Sequence, residues 1–271
     1  MRNITLSDGN VIPCMGFGCF NGFGEEMVRA VSTALEEGYS YIDSAEAYKN
    51  EELVGEGLRP HLARREEIFV LSKAWPTSFS DLESACAASL KKLGTDYLDG
   101  YLLHWPWLDE ALRLKAYEQL LKLQEKGLVR TIGVSNFLTS QMEKIKEEFG
   151  AWPTLYEIEC HPSYQQRAFI NWCRERDIQT IAYSPINRSA DLGAPVLQEL
   201  AEKYGKTPGQ IVLNWHIAHD QIPIPKSVHA DRIRENIQVF DFALEPEEMA
   251  QIDALEAGKR SGQDPLVFPA L

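Results

Sequence analysis

Short apolar runs alternate along this chain with longer stretches whose apolar positions recur every three or four residues. Ile4-Thr5-Leu6 and Val11-Ile12 flank Ser7-Asp8-Gly9-Asn10, the pattern of a small β-hairpin. Residues 15–20 read as a short buried strand whose glycines allow close backbone approach. Over 25–37, Val28, Val31, Ala34 and Leu35 recur at helical spacing, and Gly38 closes the helix. A strand over 39–42 then precedes a helix over 51–62 striped by Leu53, Val54 and Leu58. The same pairing continues with strands at 68–72, 97–103, 128–134, 154–158 and 178–183, followed by helices at 80–93, 109–126, 140–149, 166–174 and 194–204. A further helix at 208–219 leads to a last strand at 222–224, kept short because it contains Pro223. Helices at 230–239 and 246–257 complete the set.

Eight strand patterns alternating with helices predict parallel βα units. The competing open, doubly wound sheet normally carries G-x-G-x-x-G after its first strand when it binds a dinucleotide. Gly16 and Gly18, like Gly22 and Gly24, lack the third glycine. At 271 residues the chain suits one closed barrel, typically about 250 residues, better than two small domains. No linker, low-complexity tract or repeat divides it. The predicted architecture is therefore α/β: a single (β/α)8 TIM barrel over 1–271, with an N-terminal β-hairpin and extra helices near the C-terminus.

Composition adds exclusions. A net charge of −13 argues against a nucleic-acid partner, which needs a basic face, yet leaves room for a few local cations to hold a phosphate. Five cysteines without CxxC spacing or nearby histidine clusters favour reduced thiols over disulfides or a zinc site. No signal segment follows Met1, and no apolar run approaches about 18 residues. A cytoplasmic protein without a membrane span is expected.

Three successive strand patterns end on ionisable groups: Asp43, Lys73 and His104. Barrel active sites lie at the C-terminal ends of the strands, and neighbouring strands stand about 4.8 Å apart, so these three meet at one side of the mouth. Tyr48, in the loop after Asp43, can bend back over them. A phenol is a poor acid or base at neutral pH. A lysine cation beside it favours the phenolate, and a paired carboxylate fixes that cation. A nearby histidine can donate a hydrogen bond to a carbonyl oxygen. The set suits protonation of that oxygen while a hydride reaches its carbon. It contains no evident acyl-transfer nucleophile and no metal-binding triad. A Schiff-base aldolase built on Lys73 is a second chemical reading, weakened because pairing with Asp43 keeps the lysine protonated.

Six blocks in chain order carry a family resemblance. They are Ile42-Asp43-Ser44-Ala45-Glu46-Ala47-Tyr48-Lys49-Asn50-Glu51, Leu103-His104-Trp105-Pro106, Gly133-Val134-Ser135-Asn136-Phe137, Ile158-Glu159-Cys160-His161-Pro162, Ala182-Tyr183-Ser184-Pro185 and Ile224-Pro225-Lys226-Ser227. The chain resembles the aldo-keto reductases over nearly its whole length, and within them the bacterial diketo-gluconate reductase-like branch. The resemblance implies a monomeric reductase using NADPH, and returning NADP+, to convert small carbonyls or keto-sugars to alcohols. It assigns Tyr48 as general acid, Lys73 and Asp43 as the pair that lowers its pKa, and His104 as the group that orients the carbonyl. Ser135 and Asn136 match holders of the nicotinamide carboxamide, and Tyr183 the aromatic stacked on the ring. Gly18, Cys19, Phe20, Ser184, Ile186 and Val228 fall at further cofactor positions, as does Asp43 itself. Lys226, Ser227 and Arg232 match the adenosine 2′-phosphate pocket, and Glu235 and Asn236 the contacts to adenine. Arg234 reads instead as an exposed helix residue. Phe20, Ala47, Trp75, His104 and Trp105 fall at substrate-pocket positions, with Phe79 and Trp107 near them. The tail over 262–271, with Phe268, is expected to cover the mouth.

Two departures from the family pattern stand out. Tyr156-Glu157 replaces the usual Asn-Gln, so Glu157 when ionised accepts but cannot donate a hydrogen bond. Its charge beside an oxidised nicotinamide would favour NADP+ over NADPH. Asn187-Arg188-Ser189 is less glycine-rich than the family norm, and Arg188 is either a pyrophosphate partner or simply exposed. An altered Glu157 also leaves open a nicotinamide-binding regulatory or sensor protein of the same fold with little turnover.

Overall fold

The computed structural model describes residues 2–268. Strands β1 (Asn3–Thr5) and β2 (Val11–Pro13) pair antiparallel as a hairpin. Eight parallel strands follow in chain order around one sheet: β3 (Phe17–Gly18), β4 (Tyr41–Asp43), β5 (Phe69–Ala74), β6 (Leu98–Leu103), β7 (Val129–Ser135), β8 (Leu155–Glu159), β9 (Gln179–Tyr183) and β10 (Ile222–Pro223). Two backbone hydrogen bonds join the last strand region to the first: Gly16 N–H donates to Pro223 O and Gly18 N–H to Pro225 O, both at 3.0 Å. The sheet thereby closes into the expected (β/α)8 barrel. The seam is tight, because a Cβ on Gly18 would stand 2.7 Å from Ile224 O, so only glycine fits.

The connecting helices are α1 (Gly24–Glu36), α2 (Glu51–Leu58), α3 (Leu82–Leu93), α4 (Glu110–Glu125), α5 (Thr139–Phe149), α6 (Arg167–Arg174), α7 (Pro195–Tyr204), α8 (Pro208–Ala218), α9 (Ala230–Ile237) and α10 (Pro246–Asp253). Their ends follow local chemistry. Asp81 and Asp109 accept the N–H groups of Ser84 and Leu112 at the starts of α3 and α4, and Thr207 forms a capping box with Gln210 on α8. α2 stops short of the predicted residue 62, with 3-10 turns taking over from Arg59 to Glu67. Pro60 explains the break, since its ring cannot continue an α-helix ladder. The last two helices also end earlier than their patterns suggested, at Ile237 and Asp253.

Side chains on a strand alternate between its two faces, which divides the core into two shells. The outer shell packs the helices against residues such as Ile42, Val70, Leu103 and Val134. The inner shell fills the barrel with Tyr41, Phe69, Leu71, Leu102, Leu155, Ile181 and Ile222, and receives Leu6 and Ile12 from the hairpin. That hairpin closes the end where strands begin: Asn10 Nδ2 donates to Arg130 O at the start of β7. Two residues beyond the inner-shell positions, at the opposite end, come Asp43, Lys73, His104, Glu157 and Tyr183. The apolar filling thus places a layer of polar groups at the barrel mouth.

Candidate active site

Lys73 lies fully buried at the centre of that layer. Its Nζ donates to Asp43 Oδ1 at 2.5 Å, to Ser44 O at 3.0 Å and to Tyr48 Oη at 3.4 Å. Glu157 Oε2 lies 3.1 Å from the same nitrogen, within ion-pair distance yet without hydrogen-bond alignment. The second oxygen of Asp43 accepts the Tyr41 hydroxyl at 2.8 Å. Gly16 makes room for that tyrosine, since a Cβ there would fall 2.3 Å from its ring.

Tyr48 sits on a 3-10 turn, Glu46–Tyr48, ended by Lys49 at φ 56°. Glu46 ties this turn to the loop after β5 by accepting Trp75 N–H at 2.9 Å and Ser78 Oγ–H at 2.7 Å. The Tyr48 ring is half-buried, edge-on to Phe20 at 5.1 Å and to His104 at 5.5 Å between centroids. Asn50 Nδ2 donates to the carbonyls of Cys19 and Gly22, fixing the loop that carries Phe20.

Burial opposes charge throughout this site. Burial alone would lower Lys73, but Asp43 and Glu157 outweigh it and hold the ammonium well above its ordinary pKa. Burial, followed by the Lys73 cation, drops His104 well below the ordinary histidine value, leaving a neutral imidazole. Its Nδ1 is buried without a hydrogen-bond partner. Tyr48 departs from expectation. Lys73 pulls its pKa down as anticipated, but burial first, and Glu157 and Asp43 after it, outweigh the lysine and raise the phenol. Tyr48 therefore keeps its proton at neutral pH. Glu157 is pushed up to about 8 by burial and then by the Asp43 carboxylate, against the pull of Lys73.

A cavity of about 1110 Å³ opens above these groups. Phe20, Ala47, Trp75, His104 and Trp105 all line it, as do Gly18, Cys19, Asp43, Asn136, Glu157, Tyr183, Ser184, Ile186, Lys226 and Arg232. Tyr48, Arg188, Ser261, Gly262 and Phe268 are also part of its walls. Phe268 packs on Trp105 at 4.7 Å and on Trp75 at 6.0 Å, placing the tail at the mouth, while 269–271 lie outside the described residues.

Several predicted residues stand off the cavity wall. Ser135 is buried, its Oγ accepting Asn136 Nδ2 at 2.9 Å. Ser227 Oγ accepts His229 N–H, Glu235 accepts the Thr207 hydroxyl, and Val228 and Asn236 pack outside the lining. Phe79 belongs to the outer core and Trp107 packs against it, so neither lines the pocket. Arg234 pairs with Glu37 at 2.8 Å, whereas Arg232 is exposed and makes no ion pair among the described residues.

Sequence reasoning missed a second buried cluster, although its residues sit in the Ile-Glu-Cys-His-Pro block. His161, fully buried, lies 3.2 Å from Glu159 Oε1 through Nε2 and 3.2 Å from Asp191 Oδ2 through Nδ1. Glu159 Oε1 also accepts Ser261 N–H at 2.6 Å, Ser261 Oγ–H at 2.8 Å and Gly262 N–H at 3.0 Å, holding the C-terminal segment against the cavity. Asp191 accepts Ser163 Oγ–H at 2.8 Å and Asn187 Nδ2 at 2.9 Å. It tethers Asn187, Arg188 and Ser189, three consecutive non-glycine residues at φ 44°, 49° and 71°. Asn187 tolerates that left-handed region, but Arg188 and Ser189 each cost about 1–2 kcal/mol there, so the turn needs such a tether.

Comparison with known proteins gives a consistent picture. The model of the Aldo/keto reductase family matches residues 15–257. Methylglyoxal reductase DkgA of Escherichia coli K12 is 42% identical over 267 residues, 98% of this chain and 97% of the relative. The crystal structure of an aldo/keto reductase from Brucella melitensis has a TM-score of 0.90 at 41% identity, covering 94% of this chain and 99% of that one. The Bombyx mori aldo-keto reductase in complex with NADP has a TM-score of 0.92 at 34% identity, covering 99% and 97% respectively.

Proposed function

Because the chain belongs to the aldo/keto reductase family, we propose that it is a reductase of small aldehydes, ketones or keto-sugars that uses NADPH, with Tyr48 as general acid. The observation that carries this reading is the Tyr48 hydroxyl, on the cavity wall and 3.4 Å from a lysine locked to Asp43.

The residues present fit NADPH. The cavity exceeds the common range of about 300–1,000 Å³ for ligand pockets, which suits a dinucleotide with a small substrate. Lys226 and Arg232 supply cations for a 2′-phosphate in a chain otherwise rich in negative charge. Tyr183 offers an aromatic wall, and its hydroxyl donates to Asn136 Oδ1 at 2.8 Å. Both N–H donors of Asn136 are already spent on His104 O and Ser135 Oγ, so its Oδ1 is the atom left to meet a carboxamide. The NADP-bound insect relative and the methylglyoxal reductase relative support cofactor and substrate class.

Bound there, NADPH supplies the hydride to the carbonyl carbon. Tyr48, protonated at neutral pH, delivers its proton to the carbonyl oxygen and is left as phenolate beside the Lys73 ammonium. Lys73 stabilises that developing charge, and Asp43 and Ser44 O hold the ammonium in place. His104, held neutral, can hydrogen-bond the same oxygen without competing as an acid. Phe20, Trp75, Trp105 and Phe268 form an aromatic rim that excludes water and favours a compact substrate. Tyr48→Phe is expected to lower NADPH-dependent aldehyde reduction by about 10²-fold or more while leaving nucleotide binding unchanged. Absorbance assays and tryptophan-fluorescence titration read the two effects, and near-normal turnover would overturn the assignment.

A further inference from the structure

Lys73 is a single cation shared by two carboxylates that come from opposite sides of the barrel, Asp43 on β4 and Glu157 on β8. The sharing is unequal. Asp43 receives the 2.5 Å hydrogen bond from Lys73 and a second from Tyr41, whereas Glu157 Oε2 has only an unaligned contact at 3.1 Å. Both are at most 1% exposed, so water cannot compensate the poorly held one. The groups facing Glu157 are Asp43 and Tyr41 from β4, Lys73 from β5, Tyr48 and His104 from the following loops, and Tyr183 from β9. The end of β7 and the residue after it contribute only the uncharged Ser135 and Asn136. One cation therefore faces two carboxyl groups, and the less firmly bonded of them is the one that takes a proton.

Glu157 also lines the cavity, beside Asn136 and Tyr183. A ligand whose charge differs between two redox forms would meet this proton. We propose that Glu157 is a specificity-determining residue that couples cofactor redox state to one proton. It keeps its carboxyl proton when NADPH is bound, and on binding NADP+ releases that proton to solvent, leaving a carboxylate to pair with the oxidised, cationic ring. This rests on the nicotinamide lying near Tyr48 and His104, as in the function proposed above.

The balance is simple: neutral Glu157 plus NADP+ gives ionised Glu157 with bound NADP+ plus one free proton. Glu157's position near 8 puts this exchange in the physiological range. A neutral carboxyl offers one donor and one acceptor, so in the NADPH-bound state it serves as the family's usual glutamine does.

The test measures Kd for NADPH and for NADP+ from pH 6 to 9.5 in the wild type and in Glu157→Gln. Taking the ratio cancels the ionisation of the 2′-phosphate, which both forms share. In the wild type the ratio Kd(NADP+)/Kd(NADPH) is expected to fall by roughly tenfold as pH rises through Glu157's ionisation, a coupling of ordinary size. In Glu157→Gln the ratio stays flat. Calorimetry of the wild type alone, in two buffers of different ionisation enthalpy, reads the protons exchanged with each nucleotide, and binding NADP+ is expected to release more than binding NADPH, the excess coming from Glu157. A flat wild-type ratio with equal proton exchange for the two nucleotides, or the same pH dependence in Glu157→Gln, overturns the inference but leaves the reductase reading intact. Failure to bind either nucleotide overturns both.

Discussion

The barrel contains two buried clusters with the same charge recipe, one base between two carboxylates, and they settle in different states. In Asp43–Lys73–Glu157 the lysine holds Asp43 closely and Glu157 loosely, and burial drives Glu157 up to about 8. In Glu159–His161–Asp191 burial also pushes both acids up, but hydrogen bonds outweigh it and hold each at about 2. The difference lies in donor supply. Glu159 receives two backbone N–H groups and a hydroxyl besides His161, and Asp191 is bonded by Ser163, Asn187 and His161. Glu157 has none of this. Donors that cannot leave make a carboxylate a permanent anchor, whereas a shared cation leaves it a proton acceptor. The anchored cluster holds the segments at 187–191 and 261–262 against the cavity; the loosely held one faces the chemistry.

Substituting the base separates the two clusters most sharply. Lys73→Met leaves two acids unpaired in the barrel, and is expected to cost up to about 3–5 kcal/mol in urea unfolding at pH 8. Glu157, already raised, would then lie further above its unfolded value, so the loss shrinks as pH falls toward 5 and that carboxyl becomes neutral. Equal loss at both pH values would break the comparison. Turnover should vanish in the same variant.

A smaller effect is expected at the anchored cluster. Asp191→Ala removes the acceptor for Ser163, Asn187 and His161, and should destabilise by about 1–3 kcal/mol while speeding proteolysis across 187–189. Its loss also shrinks as pH falls, but in a lower window than that of Lys73→Met. Glu159 and Asp191 have folded pKa values depressed to about 2, so their stabilisation is complete above the unfolded carboxylate range and is lost as pH falls from about 4 toward 2. His161 is raised, because Asp191 and Glu159 outweigh its burial, so its contribution is present in acid and fades as pH rises through its folded value. Acid unfolding monitored by circular dichroism should be shallower in Asp191→Asn than in the wild type.

The gentlest test removes one donor. Ser261→Ala deletes the hydroxyl bond to Glu159 but keeps both backbone N–H groups, and should cost about 0.5–1.5 kcal/mol with a modest rise in Glu159's pKa. No change in the acid limb of the stability profile would mean that donor supply is not what distinguishes the clusters.

How much of this was legible beforehand divides along physical lines. Strand alternation is local geometry, so residues two beyond the inner apolar positions Tyr41, Leu71 and Leu102 were readable as mouth residues. Helix caps at Asp81, Asp109 and Thr207 are equally local, and the break at Pro60 was visible in the sequence although the helical stripe was extended past it. Residues far along the chain were less secure. Ser227, Val228, Glu235 and Asn236 stand off the cavity wall, while Ser261 and Gly262 reach it from the tail.

The sequence by itself determined the order of βα units, the barrel and the place of Asp43, Lys73 and His104 at its mouth with Tyr48 beside them, because each follows from a short-range pattern or motif. Only the tertiary structure decided which charges meet. Closure of the sheet between Gly16–Gly18 and Pro223–Pro225 completes the ring that sets β8 across from β4, so Glu157 comes to share the lysine of Asp43. Folding also buries Tyr48 enough to outweigh that lysine's pull. Protonation states depend on desolvation and on partners more than a hundred residues away, and no local pattern in the chain encodes either quantity.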